Sequence, residues 1–142
     1  MLENIIFKNT NIPTLLKSLD ATMLRARTIA NNVANVNTPG YQRLEVSFED
    51  ELRRSLDDNR LKGARTQSGH MALGGKEISS ITPQVERPID PTLPAGVNNV
   101  DIDTEMAKMA ENQIMYNFSS KMLISSLRKI NSAIQAKSLP IQ

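Results

Sequence analysis

The side chains that could do chemistry are few and scattered. His70 is the single histidine, set in a Gly-flanked stretch with no second ligand at metal spacing. We read it as a surface loop residue rather than a catalyst or ligand. Asp101, Asp103 and Glu105 put three carboxylates in five positions and suggest a cation site. They lack the Gly and the closing Glu of a calcium loop, and helix capping explains them without a metal. Gly74-Gly75-Lys76 misses both the spaced first Gly and the following Ser or Thr of a phosphate loop. Serines are common, but one histidine in a Gly-rich segment does not make a Ser-His-acid set. With no cysteine there is no disulfide and no thiolate chemistry. The expectation is no enzyme: no catalytic residue, no metal, no cofactor and no small-molecule substrate.

Composition narrows the remaining classes. Seventeen basic residues stand against fifteen acidic ones. A nucleic-acid binder needs a clustered positive face, so none is expected as a partner. Three Phe, two Tyr and no Trp are little bulk for a compact core; seven Met supply adaptable packing instead. No apolar run approaches the roughly 20 residues that cross a bilayer. The opening Met1 to Asn11 lacks a basic start, a long apolar centre and a small-residue cleavage site, so no cleaved secretory signal is expected there.

What does organise the chain is its last third. From Asp103 to Ala136 there is no Gly and no Pro, so nothing intrinsic breaks a helix. Asp101 or Asp103 can cap its start, and Glu105 adds negative charge where the helix dipole favours it. Met106, Met109, Tyr116, Leu123, Leu127, Ile130 and Ile134 form one stripe, with Gln113 and Ser120 in its gaps and Ala110 and Ile124 beside it. A helix of about 35 residues is roughly 50 Å long, too long for one face of a small globule. A seven-residue recurrence of that length seeks a partner helix.

A second such stripe lies near the other end. Asn9, Thr10 or Asn11 can cap a helix that tolerates Pro13 in its first turn. Ile12, Leu16, Leu19, Met23, Ala26, Ala30 and Val33 then recur at four-then-three spacing, with Leu15, Ile29 and Val36 alongside. Ala26, Ala30 and Ala34 let a neighbour approach closely. Arg25 and Arg27 lie off the seam, at a solvated or subunit-rim position. The two terminal helices are expected to pack on each other and still leave apolar surface for other subunits. Each seam residue can serve packing within the chain, between chains, or both.

The first helix ends in Asn31 to Tyr41, N-N-V-A-N-V-N-T-P-G-Y. Pro39 pushes Thr38 out of the helical region, and Asn37 can stop the helix in a left-handed conformation. Pro39-Gly40 fits the centre of a type II turn. Tyr41 then stands fixed just past it. In this block Asn31, Asn32, Asn35, Thr38, Pro39, Gly40 and Tyr41 resemble the Asn-rich, Thr-Pro-Gly-Tyr signature of bacterial flagellar rod and hook proteins. A second block, Asn98 to Gln113, resembles their C-terminal signature through Asn98, Asn99 and Asp101, in a form closest to that of the proximal rod subunits. The two blocks and their helices cover about half the chain, in the right order, with no room between them for the extra domains of longer axial proteins.

Between the blocks the pattern changes. Ser47 to Leu56 suggests a short helix capped by Ser47, with Phe48, Leu52 and Leu56 on one face. Residues 59–97 hold five Gly and four Pro and no sustained period. Glu77 to Ile81 and Gln84 to Val85 are β-prone and can pair locally. The rest reads as a long loop, either disordered alone or ordered against a neighbour.

The fold expected is mainly α: two long amphipathic terminal helices in an antiparallel, coiled-coil-like pair, with a short helix and an irregular, partly β loop between them. The segments expected are 1–41 (helix and turn), 42–58 (short helix), 59–97 (loop) and 98–142 (final helix), together one discontinuous helical domain. The resemblance implies a structural subunit of the proximal rod of the flagellar basal body, polymerised through its terminal helices into a tubular, torque-transmitting shaft around an export channel. It also implies a place in the periplasmic span, export through the flagellar type III gate without signal cleavage, and further partners: copies of itself, other rod proteins, the membrane-ring protein and the ring-to-rod adaptor. A reading from another class is a soluble helical-hairpin binding or chaperone module, which predicts a well-folded discrete monomer or dimer.

Overall fold

The structure of the protein, a computed structural model, describes residues 10–58, 78–88 and 97–136. His70 and Gly74-Gly75-Lys76 lie outside the described residues, as do residues 1–9 and most of the 59–97 loop.

Helix α1 runs Ile12–Ala34, with Pro13 in its first turn, where the missing N–H costs nothing. Asn11 precedes it but makes no side-chain capping bond. Its backbone, φ −79° and ψ 7°, is already near-helical, which takes the side chain out of reach of the orphan N–H groups. Nor does Asn37 stop the helix in a left-handed conformation. Among the described residues no non-glycine has a positive φ, and Asn35 is the C-cap at φ −105°. The Pro39-Gly40 turn forms as expected: Gly40 sits at φ 72° and the Tyr41 N–H donates to the Thr38 carbonyl at 3.3 Å.

Strand β1 (Glu45–Ser47) follows, then helix α2 (Glu49–Asp58). Ser47 is therefore no helix cap. Its backbone is drawn into pairing, and α2 begins two residues later, with the Leu52 N–H bonded to the Phe48 carbonyl at 2.9 Å. Glu49, Asp50 and Glu51 crowd the first turn of α2, where the dipole favours negative charge. Strand β2 (Gln84–Glu86) pairs antiparallel with β1, Val46 opposite Val85. Gln84–Val85 is thus a strand as expected, but its partner is β1 and not the described residues 78–81 just before it. Ile78–Ser80 is a tight 3-10 turn, which delivers Ile81 into complete burial against Ala21 and Phe48, with Leu52 at the edge. The described part of the middle segment is thus ordered by this chain's own α1 and α2, because burying Ile81 there outweighs leaving it in water.

Helix α3 spans Ile102–Ala136, 35 residues without a break. It packs antiparallel on α1: Asn32 meets Glu105, Thr22 meets Asn112, and Ser18 meets Ser119. The small Ala21–Phe48–Ile81 core occupies an adjoining face of α1. At 1.5 Å per residue α3 is roughly 50 Å long and α1 roughly 35 Å. Stepping back from the Ser18–Ser119 contact, Ile12 lies opposite about residue 125. The last turns of α3 run past the end of α1. Among the described residues no helix is long and apolar enough to cross a membrane.

Candidate functional site: an asparagine clasp and two outward seams

Asn32 is the centre of the first signature block, and it is completely buried, at 0% exposure. Its Nδ2 donates to the Leu44 carbonyl at 2.8 Å and to Glu105 Oε2 at 2.9 Å. Its Oδ1 accepts from the Leu44 N–H at 3.0 Å and from the Tyr41 hydroxyl at 3.1 Å. Two donors and two acceptors exhaust what an amide can make. The backbone partners also fix its orientation, since an N–H cannot accept and a carbonyl cannot donate. One side chain thereby joins α1, the chain after the turn, and α3.

The second signature block completes the end of α1. Asn98 Nδ2 lies 2.8 Å from the Asn35 and Val36 carbonyls and 2.9 Å from that of Thr38. Two N–H bonds spread over three oxygens satisfy carbonyls that a helix end leaves open. This explains why no left-handed residue is needed there. Asn98 Oδ1 accepts from the Val100 N–H at 2.8 Å, and Asn99 Oδ1 from the Arg43 N–H at 2.6 Å. Within the first block, Asn35 Nδ2 donates to the Asn31 carbonyl and the Thr38 hydroxyl to Asn35 Oδ1. Pro39 and Gly40 stay exposed at the tip.

Asp101, not Asp103, caps α3. Its Oδ1 accepts from the Asp103 N–H at 3.0 Å and its Oδ2 from the Thr104 hydroxyl at 2.8 Å. The Thr104 hydroxyl, with the Asp103 N–H, holds this carboxyl below the usual carboxylate range. Glu105 turns the other way, into the helix pair, at 1% exposure. The three carboxylates therefore do not converge. Among the described residues no three His, Cys, Asp or Glu side chains gather where they could hold a metal ion.

A charged cluster pins β1 to α3. Lys108 Nζ lies 2.6 Å from Glu45 Oε1 and 3.8 Å from Glu105 Oε1, and Arg43 reaches Glu45 at 3.1 Å. The Lys108 bond, helped by the charges of Lys108, Arg43 and Arg25, holds the Glu45 carboxyl below its ordinary value against an opposing push from partial burial. Arg25 is not left solvated: it pairs with Glu49 at the start of α2. Arg27 is exposed.

The seams divide unexpectedly. The buried positions of α3 along α1 are Glu105, Asn112 and Ser119, spaced by seven and all polar. Asn112 donates to the Thr22 carbonyl at 2.9 Å, and Ser18 and Ser119 share a bond at 3.3 Å. Of the apolar stripe on α3, Met109, Leu123 and Ile130 are half-buried, while Met106, Leu127 and Ile134 are exposed. On α1, Ile12 is buried and Leu19, Ala26 and Val33 are half-buried, while Leu16, Met23 and Ala30 are exposed. Met23, nine residues before Asn32, sits half a turn round from it, on the side away from α3. Ile114 and Phe118, on the far side of α3, are 69% and 65% exposed. Sequence reasoning missed the polar row. Its signal was present in the seven-residue spacing of Glu105, Asn112 and Ser119, but a search for apolar recurrence passes over it.

The comparisons with known proteins point the same way as the two blocks. The family model described as "Flagella basal body rod protein" matches residues 18–42, the second half of α1 and the turn. The flagellar basal body rod protein FlgB of Borreliella burgdorferi is 31% identical over 122 residues, covering 82% of this chain and 90% of its own. That of Borrelia hermsii is 33% identical over 121 residues, covering 82% and 90%. That of Bacillus subtilis is 31% identical over 111 residues, covering 78% and 81%. Relatives more than 30% identical over about four-fifths of this chain have one consequence: the chain belongs to the family of FlgB flagellar basal body rod proteins.

Proposed function

We propose that this chain is a structural subunit of the proximal rod, and that copies of it polymerise through the outward faces of α1 and α3 into a tubular, torque-transmitting shaft around an export channel. The observation that carries this reading is the inversion of the helix pair. Inside, the pair is fastened by polar contacts; outside, it presents Met23, Leu127, Phe118 and their neighbours to water. A polar row between helices selects one register at a cost in stability. Apolar surface left uncovered in one molecule is what another molecule covers. Long paired helices are stiff along their axis, as a shaft requires. On this reading the chain works in the basal body across the periplasmic space, reached through the flagellar type III gate without signal cleavage. It meets other rod proteins along the axis and the membrane ring and its adaptor at the base.

Leu127→Asp tests this. Leu127 is 49% exposed, so the charge costs the isolated fold little but cannot be buried between subunits. The expected result is an unchanged helical spectrum and an unchanged melt for the dilute purified protein, with loss of basal-body incorporation and of motility in cells carrying only this variant. Normal motility overturns the reading.

A further inference from the structure

We propose that the cleft between α1, β1 and α3 is a socket for the guanidinium of an arginine side chain that a neighbouring protein inserts. The cleft is about 430 Å³ in volume, many times the roughly 30 Å³ that one water takes. Glu105 and Asn112 lie buried in its lining, 1% and 4% exposed, and Leu44, Val46 and Met115 give it apolar walls. Each of the two buried residues holds an oxygen with no hydrogen bond. Asn112 spends its amide N–H on the Thr22 carbonyl, which fixes its orientation and leaves Oδ1 free. Glu105 Oε2 accepts from Asn32, while Oε1 lies 3.8 Å from Lys108 Nζ, beyond hydrogen-bond reach. Lys108 itself lines the cleft, so Oε1 is turned into it. Buried acceptors without a donor are costly, and the group that satisfies these two must donate.

Charge makes that group a cation. The lining carries four carboxylates, Glu45, Glu49, Glu105 and Glu111, against Arg25 and Lys108. Arg25 is held by Glu49, and Lys108 by Glu45, which Arg43 also reaches from outside the lining. Glu111, exposed at the rim, has no ion-pair partner among the described residues, and Glu105 has only the more distant Lys108. The lining is short of two positive charges, or of one with Arg43 counted. Glu105 and Asn112 stand two helical turns apart, about 10 Å along α3. A guanidinium spreads its donors over a planar fork and suits acceptors set apart, whereas an ammonium donates from a single atom. Its alkyl stem lies against the apolar walls. On the rod-subunit reading the chain is surrounded by other proteins, so a protein supplies the side chain. The occupant rests on that reading; the chemistry of the cleft does not.

The cleft is tested by titrating the purified whole chain with propylguanidinium, the stem and head of arginine, and following the amide NMR signals of Thr28, Ile29 and Asn112. Saturable shifts are expected, with half-saturation on the order of 1 mM. Propyltrimethylammonium, equally charged but without a donor, should leave the signals in place. Glu105→Gln should weaken binding about tenfold. Glu111→Arg, at the exposed rim where the fold does not depend on it, should weaken it about fivefold. Equal shifts from both cations, an affinity indifferent to both variants, or no saturable shift, which leaves a cleft holding solvent alone, overturns the socket. The occupant is tested in isolated basal bodies with phenylglyoxal, which modifies accessible guanidinium groups. One arginine of a neighbouring protein should be protected beside the wild-type chain and modified beside Glu111→Arg. No arginine changing its protection, or a polyamine carried by the purified chain in native mass spectrometry, overturns the arginine as occupant. Absence of the chain from basal bodies overturns the rod reading and the occupant with it, while the titration of the isolated chain decides the cleft by itself.

Discussion

At the scale of single residues, the asparagines do what the apolar side chains do not. Asn32→Ala strips partners from the Leu44 backbone, the Tyr41 hydroxyl and the buried Glu105 carboxylate at once. Leaving buried polar groups unpaired costs more than the lost bonds themselves, and the expected destabilisation is about 3 kcal/mol by urea denaturation. Glu45 supplies a pH dependence. Its folded carboxyl titrates below the ordinary value of 4.5, chiefly through Lys108. Its contribution is therefore present above about pH 4.5 and is lost as the pH falls through the lowered folded value. Lys108→Met should flatten that acid limb and move the Glu45 titration upward, as followed by carboxyl NMR. Much at this scale was legible from the sequence. The Pro39-Gly40 turn and the Asp101 cap are local, set by residues two or three apart. The burial of Asn32 and the reach of Asn98 were not, because their partners lie 60 to 73 positions away.

At the scale of elements, the long helices could be read because uninterrupted helix formers leave the backbone few alternatives over 23 and 35 residues. Of the small pieces, the short helix and the β-prone Gln84–Val85 could be read too, but the strand partner and register could not. Strands of three residues carry no usable alternation, and β1 and β2 find each other across a long stretch of chain. Ser47 looks like a helix cap until Gln84 arrives opposite it. The Ala21–Phe48–Ile81 core gathers three distant segments, and Ile81 is its one member from the Gly- and Pro-rich middle. Ile81→Ala should cost about 3 kcal/mol in thermal or urea unfolding, since α1 and α2 cannot both move in to fill the space. The same variant should raise amide exchange in β2 and in the first turns of α2 before it does so in α3, which the core does not touch.

At the scale of the whole molecule, the periodicity announced helix pairing but not which face would be used for which partner. Ile12, Leu16, Leu19 and Met23 carry the clear heptad of α1, yet the contact with α3 runs through Ser18, Thr22 and Asn32. Apolar spacing marks what a helix wants to bury; it does not say in which molecule. A monomer fastened by polar contacts and exposed along its apolar ridges is expected to gain stability from association. Its melting temperature should therefore rise with protein concentration, checked by circular dichroism alongside light scattering. A flat melting temperature across a hundredfold dilution series would mark a self-sufficient monomer. Finally, the carbonyls at the end of α1 are closed by Asn98, a residue near the seventieth percentile of a 142-residue chain. The knot at the front of the polypeptide is tied by a hand that arrives late. On the proposed export reading, a chain passing amino end first would close the end of its first helix only after Asn98 had emerged.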